Sequence, residues 1–256
     1  RRKEYAIGER IVLERNDLYH KEPANLDSIV MNLAGGQAMP MYENDEIDIT
    51  GIGLFDLDRI KNPANEKDKT LNNDLVVAPP DFNISYIGFN TKIPPFDDVK
   101  FRQALNHAID KELIAKEVLS DMVVPAYGIL PPGFPSYNPR LTGLKYDPTL
   151  AKQLLSESKY ADADNRPPIT ISVPGTGTNI GLDLQVIIDM WSQVLGVNVD
   201  LQQLEWATYL QDLNRSKFQA FAGIGWEADY PDPQDFLDIL FHSDSSINHG
   251  QYSNPN

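Results

Sequence analysis

Acidic and aromatic side chains are concentrated in one short segment, residues 225–233, with the sequence Gly-Trp-Glu-Ala-Asp-Tyr-Pro-Asp-Pro. A carboxylate beside an aromatic ring suits a ligand with an apolar body and a positive charge, because the ring stacks and the acid pairs with the cation. The acids Glu227, Asp229 and Asp232 also allow a second interpretation, a carboxylate-dependent hydrolase of small or sugar substrates. Glycosidases, however, need two acids on opposite sides of the scissile bond, which one short loop does not provide.

The residues around this segment predict that it is a loop between a strand and a helix. An apolar run at 221–224 precedes it, and an amphipathic run at 236–241 follows it. In open α/β sheets, ligands bind beyond the carboxyl ends of the strands, where such loops lie. Trp206 follows another predicted strand and reaches the same edge of the sheet if the two strands are parallel.

From residue 169 onward, strand and helix patterns alternate, which predicts an α/β layer with right-handed crossovers. Asp232 is expected to cap the last helix, and Gly196 to end an earlier one. The predicted strands are 169–173, 197–204 and 220–226, and the predicted helices are 179–195, 207–216 and 233–241.

The first half of the chain has a less regular pattern. An amphipathic helix is predicted from the acid pair Asp97-Asp98 to Val118, and another begins at Asp147-Pro148, where an acid cap precedes a proline. The other predictions are a single strand over 4–15, a strand at 46–50, an exposed polar loop at 61–74, and strands at 75–78 and 84–89.

Composition excludes several classes of function. The 256 residues carry a formal net charge of −15, which argues against a nucleic-acid partner. There is no cysteine, and the four histidines show no ligand spacing, so we expect neither a metal site nor a cofactor. No window approaches the ~18 consecutive apolar residues of a membrane span.

Several motifs occur together in an order typical of one family. They are residues 86–91 (Tyr-Ile-Gly-Phe-Asn-Thr), 94–99 (Pro-Pro-Phe-Asp-Asp-Val), 102–105, 108–110, 131–133, 146–148 and 226–233. Their combination resembles the extracellular solute-binding proteins of the oligopeptide/dipeptide/nickel type, family 5, which serve ABC importers. The resemblance covers essentially the whole chain.

The resemblance implies an α/β, periplasmic-binding-protein-like clamp of two lobes, the type II binding fold. Residues 1–85 would be part of the first lobe, and residues 86–256 most of the second, truncated before its C-terminal return. We therefore expect the chain to be a partial piece of a larger receptor.

The implied function is a non-catalytic receptor that captures peptides outside the cytoplasm, as a periplasmic protein or a cell-surface lipoprotein, for an ABC permease. Contact with the membrane would be only through an anchor or permease outside this chain, and we expect a monomer. A non-peptide solute, such as an oligosaccharide or a nickel complex, and a signalling role remain open alternatives.

The resemblance also suggests which residues bind the ligand. In peptide-binding relatives, the acid at the position of Asp229 pairs with the free α-amino group of the ligand; the alternative is that Asp229 caps the helix near Asp232. Trp226 would stack on the ligand or close the core. Trp206, Tyr230 and Glu227 complete the candidate set, each with packing or solvent exposure as its alternative. Some peptide-binding relatives carry an arginine shortly before the matching tryptophan, and residues 221–224 contain none.

Overall fold

The computed structural model describes residues 1–77, 81–177 and 180–254. The predicted helix start at Asn179 lies outside these residues, as does the last residue of the predicted strand at 75–78; residues 75–77, which the structure describes, form no strand, so that prediction is wrong there. The chain divides into two compact units, Arg1–Val77 and Ala78–Asn256. Among the described residues, no helix has the length and apolar character that crossing a bilayer requires.

The first unit contains an antiparallel sheet and three short helices. Its core is formed by Met39, Ile60 and Leu71. The sheet has the order β1-β2-β3, with β1 at Arg2–Ala6, β2 at Arg10–Glu14 and β3 at Ser28–Asn32, and the helices are α1 at Ala38–Glu43, α2 at Leu54–Lys61 and α3 at Glu66–Asp74.

Three other predictions for the first unit are wrong. The single strand within 4–15 is a hairpin, because the chain turns between β1 and β2 and Glu9 N–H donates to the Ala6 carbonyl (3.0 Å). Residues 46–50 have no regular structure. Most of the polar stretch at 61–74 is helical, since Asn65 caps α3 and Leu71 anchors it in the core.

The second unit is built on a four-stranded mixed sheet with the order β4-β7-β5-β6. Strands β5, β6 and β7 run parallel, so their carboxyl ends lie at one edge, and β4 pairs antiparallel with β7. The strands are β4 at Asn83–Phe89, β5 at Thr170–Pro174, β6 at Asp200–Leu204 and β7 at Ala220–Glu227. The division between the two compact units falls before β4.

Helices cover both faces of this sheet. They are α4 at Val99–His107, α5 at Lys111–Leu113, α6 at Pro148–Ser156, α7 at Leu182–Leu195, α8 at Trp206–Asn214 and α9 at Gln234–Phe241. Because side chains alternate along a strand, Ala220 and Ala222 of β7 join the large core, whereas Phe221 joins a second cluster with Tyr209 and Phe218. The predicted α/β class is confirmed.

Local capping explains where these helices begin and end. Asp98 accepts from Phe101 N–H and Asp147 from Leu150 N–H, each at 2.9 Å, as predicted. Gly196 ends α7 in the left-handed conformation, at φ 63°. The helix predicted to run to Val118 is interrupted, because α4 ends at His107 and a new cap at Asp110 starts α5, which continues as a π-helical turn over Ile114–Val118.

Candidate ligand-binding site

Strand β7 carries the candidate residues past the carboxyl end of its parallel neighbour. Its pairing with β5 is confined to Ala220 and Phe221, whereas its pairing with β4 continues to Glu227. At Gly225 the neighbouring backbone is so close that a Cβ atom would lie 2.3 Å from the Ile84 carbonyl oxygen. The last residues of β7 therefore project from the sheet edge with their backbone held against β4.

Hydrogen bonds hold the loop after β7 in one conformation. Ala228 N–H donates to the Phe82 carbonyl (2.9 Å), and Asp229 N–H donates to Asp235 Oδ2 (3.0 Å). At the far end, Gln234 N–H donates to Asp232 Oδ1 (2.9 Å). The loop is thus fastened both to the sheet edge and to α9.

Asp229 has a side chain that the fold leaves available. The residue is exposed, and within residues 1–77, 81–177 and 180–254 its carboxylate accepts no hydrogen bond and makes no ion pair. The structure gives the capping role to Asp232, which accepts from the first amide of α9. The alternative in which Asp229 caps this helix therefore has no support in the observed hydrogen bonds.

Trp226 is half-buried and packs against the buried cluster of Phe134, Phe236 and Leu240. Its indole N–H donates to Asp235 Oδ2 (3.4 Å). The two sequence interpretations of this tryptophan, core residue and wall of a binding site, are compatible, because only part of the ring is covered.

The other two candidates on this loop are exposed. Glu227 ends β7 opposite Asn83. Tyr230 is 40% exposed, and its hydroxyl donates to Gln234 Oε1. This bond directs the phenol along the loop towards the start of α9.

Trp206 lies at the same sheet edge but does not join the loop. It is 53% exposed and stacks on Tyr209, with ring centroids 6.2 Å apart and planes inclined by 11°. Strand β5 separates β6 from β7, which places the ends of these two strands roughly 10 Å apart across the sheet. Glu205 caps α8, accepting from Ala207 N–H at 3.0 Å and Thr208 N–H at 3.2 Å.

Negative charge converges on the loop. The pKa of the Tyr230 phenol is raised, first by desolvation and then by the charges of nearby aspartates, namely Asp235, Asp232, Asp229 and Asp238. In the part of the chain that the structure describes, none of these aspartates forms a salt bridge with a lysine or arginine. A cation at this loop would therefore meet uncompensated carboxylates.

Sequence reasoning missed Asp235, although it contacts both leading candidates. Its side chain is fully buried, and Oδ2 accepts from Asp229 N–H and Trp226 Nε1–H. Oδ1 has no hydrogen-bond partner within the described residues. In the sequence, the sign that Asp235 is buried is its place next to Phe236, on the side of α9 that faces the core.

The described residues contain no group of three or more His, Asp or Glu side chains arranged to hold a metal ion. The acids at the loop are spread over the exposed end of β7, the turn and the first turns of α9. What the arrangement offers chemically is an anionic, aromatic surface at the edge of a sheet.

Comparison with known proteins identifies the family. The model of the middle region of the bacterial extracellular solute-binding proteins, family 5, matches residues 1–248. The chain belongs to this family, which confirms the resemblance noted in its sequence.

Individual relatives agree with this assignment. The periplasmic oligopeptide-binding protein OppA of Escherichia coli K12 is 32% identical over an alignment of 266 positions, which covers 99% of this chain and 46% of that protein. Heme-binding protein A of Haemophilus influenzae is 32% identical over 247 residues, 94% of this chain and 43% of that protein. The crystal structure of a dipeptide-binding protein from Pseudoalteromonas sp. SM9913 in complex with Met-Leu is similar with a TM-score of 0.76 and 27% identity, over 99% of this chain and 50% of that one.

The chain thus spans about half the length of the curated relatives that it matches. The proteins compared are named for binding, and the family is one of extracellular proteins. The periplasmic-binding-protein-like fold expected from the sequence is confirmed, and the matched structures are about twice as long as this chain.

Proposed function

We propose that this chain forms the peptide-contacting part of an extracytoplasmic receptor that captures peptides for an ABC importer and does not alter them chemically. The observation that carries the proposal is the exposed, unpaired carboxylate of Asp229 on a loop fastened at both ends. Family membership supports the receptor class, and the relative that binds Met-Leu supports peptide as the ligand.

The proposed recognition is electrostatic at one point and apolar around it. Asp229 pairs with the free α-ammonium group of the peptide, because a carboxylate without an internal partner gains a charge-assisted hydrogen bond when a cation arrives. The exposed part of Trp226 lines the adjacent surface, with Trp206, Tyr230 and Glu227 as further lining residues. A ligand without the ammonium group would leave Asp229 desolvated and unpaired, which gives selectivity.

The partner in this proposal is the permease of an ABC transporter, and the receptor meets the membrane only through that permease or an anchor outside this chain. It acts as a monomer in the periplasm or at the cell surface. The support for these statements is the family, whose members are extracellular solute-binding proteins.

The experiment compares Asp229→Asn with wild type in the intact protein. Alanine peptides of two to five residues, each with a free and an N-acetylated amino terminus, are titrated calorimetrically. Asp229→Asn should weaken binding of the free-amine peptides by about 2–5 kcal/mol, because the ammonium loses a charged partner that the bound peptide would shield from water. Binding of the acetylated peptides should change little.

Asp189→Asn is the matched control, because it removes the same charge from the exposed surface of α7. Equal affinity of wild type and Asp229→Asn for free-amine peptides would contradict the amine-binding role. Hydrolysis of a titrated peptide would contradict the non-catalytic role.

A non-peptide solute is the second candidate, favoured by the relative named heme-binding protein A, which is as similar in sequence as the oligopeptide-binding relative. Mass spectrometry of solutes retained by the purified intact protein separates the two candidates. Recovery of unmodified peptides supports the first, and recovery of a single non-peptide compound supports the second.

A further inference from the structure

We propose that Asp235 is a positioning residue that aligns Asp229 and Trp226 for the ligand, an inference that rests on the proposed function. One atom, Asp235 Oδ2, accepts both the backbone N–H of Asp229 (3.0 Å) and the indole N–H of Trp226 (3.4 Å). The charged and the aromatic parts of the candidate site are thereby tied to the same buried acceptor.

Helix capping does not account for Asp235. The first amide of α9, that of Gln234, is bonded to Asp232 Oδ1, and Asp235 N–H donates to the Asp232 carbonyl (3.0 Å). The side chain of Asp235 instead reaches back across the loop to residues 226 and 229. Its hydrogen bonds therefore serve the loop and not the end of the helix.

The burial of Asp235 also has a cost. The side chain is fully buried, and Oδ1 has no partner among the described residues. Burial of an oxygen without a partner costs free energy, which offsets part of what the two hydrogen bonds to Oδ2 contribute. Asp235 contacts both leading site residues in spite of this cost, which points to an effect on the site.

The effect follows from backbone geometry. Holding Asp229 N–H restrains the peptide plane that precedes the Asp229 Cα atom, and with it the position from which the carboxylate projects. Holding the indole N–H fixes the plane of the Trp226 ring at the same time. A charge-assisted hydrogen bond depends on donor and acceptor being at about 2.7–2.9 Å, so a small rotation of Asp229 would remove most of the selectivity for an ammonium group.

The test compares Asp235→Asn and Asp235→Ala in the intact protein. An asparagine oxygen can still accept from both N–H groups, whereas alanine removes the acceptor. The readout is the ratio of dissociation constants for N-acetylated and free-amine alanine peptides of two to five residues, measured together with the urea midpoint of each variant.

We expect Asp235→Asn to keep this ratio within about threefold of wild type. Asp235→Ala should lower the ratio by about tenfold or more, which corresponds to the loss of one charge-assisted hydrogen bond. The urea midpoint of Asp235→Ala should fall, since two N–H groups lose their acceptor and the buried side chain leaves a cavity; the ratio of the two dissociation constants, which a uniform loss of stability does not change, therefore carries the test. Failure of asparagine to restore the ratio would overturn the inference. An alanine variant that retains the wild-type ratio, or weakens both kinds of peptide equally, would overturn it as well.

Asp229→Asn, measured in parallel, separates this inference from the proposed function. If Asp229→Asn abolishes the preference for a free amine and Asp235→Ala does not, only the role of Asp235 is refuted. If Asp229→Asn leaves the preference unchanged, or wild type shows none, the proposed amine site fails, and the positioning role fails with it.

Discussion

Two aspartates of one loop differ in their hydrogen bonds, and this difference predicts which of them stabilises the fold. Asp232 accepts from the first amide of α9, whereas Asp229, three residues earlier, accepts no hydrogen bond among the described residues. Replacing Asp232 by alanine should therefore destabilise the protein, and the same change at Asp229 should not.

The magnitude for Asp232→Ala follows from the interactions lost. Removing a helix-capping carboxylate costs about 1 kcal/mol, and losing a negative charge beside the positive end of a helix adds roughly 0.3–1 kcal/mol. The free energy of unfolding should therefore fall by about 1–2 kcal/mol in Asp232→Ala. Asp229→Ala should stay within about 0.5 kcal/mol of wild type, as is usual for surface residues without a specific structural role.

Urea unfolding of the ligand-free protein, followed by tryptophan fluorescence, measures both values. In a thermal melt, 1 kcal/mol corresponds to a shift of about 2–4 °C for a domain of this size. If Asp229→Ala is destabilised as much as Asp232→Ala, Asp229 serves the fold, and our reasoning about the loop is refuted. Ligand titration of the same two variants should give the opposite order, with the larger loss at Asp229.

Two further predictions concern the supporting structure. Trp191→Phe should lower the free energy of unfolding by about 2–4 kcal/mol in urea titrations. The reason is that the buried indole donates to the Leu105 carbonyl (2.8 Å) and fills the space between α7 and α4. A loss below about 1 kcal/mol would contradict this prediction. Burial lowers the pKa of His249, whose Nε2 lies 3.1 Å from Asn214 Oδ1, so the fold favours the neutral ring. This stabilisation is complete above the usual pKa of 6.5 and is lost as the pH falls through the lowered value. Urea midpoints measured between pH 7.5 and 5 should therefore fall less in His249→Gln than in wild type. Identical pH dependence of the two proteins would exclude this role of His249.

Much of the second unit was predictable because its signals are local. The caps at Asp98 and Asp147 and the terminator Gly196 each act within a few residues, and the alternation of strand and helix after residue 169 is visible without knowledge of the fold. The first unit was less predictable, since α3 has only one buried apolar side chain, Leu71, and its helical character depends on the capping residue Asn65 and on packing.

The candidate site was predictable as a segment but not as a set of contacts. Trp226 and Asp229 stand out by residue type, whereas the extension of β7 along β4 depends on pairing with residues more than a hundred positions away. Which aspartate is buried behind the loop also depends on tertiary packing. For that reason, the sequence indicated Asp229 and Asp232 and passed over Asp235.

The close approach of Gly225 to Ile84 has a consequence for redesign of the recognition loop. Any larger residue at 225 would strike the neighbouring main chain, so this position is closed to variation whatever solute is wanted. Glu227 and Tyr230, a few residues further on, project outward and tolerate exchange without disturbing the sheet. A combinatorial library for altered cargo should therefore hold Gly225 constant and randomise the exposed positions that follow it.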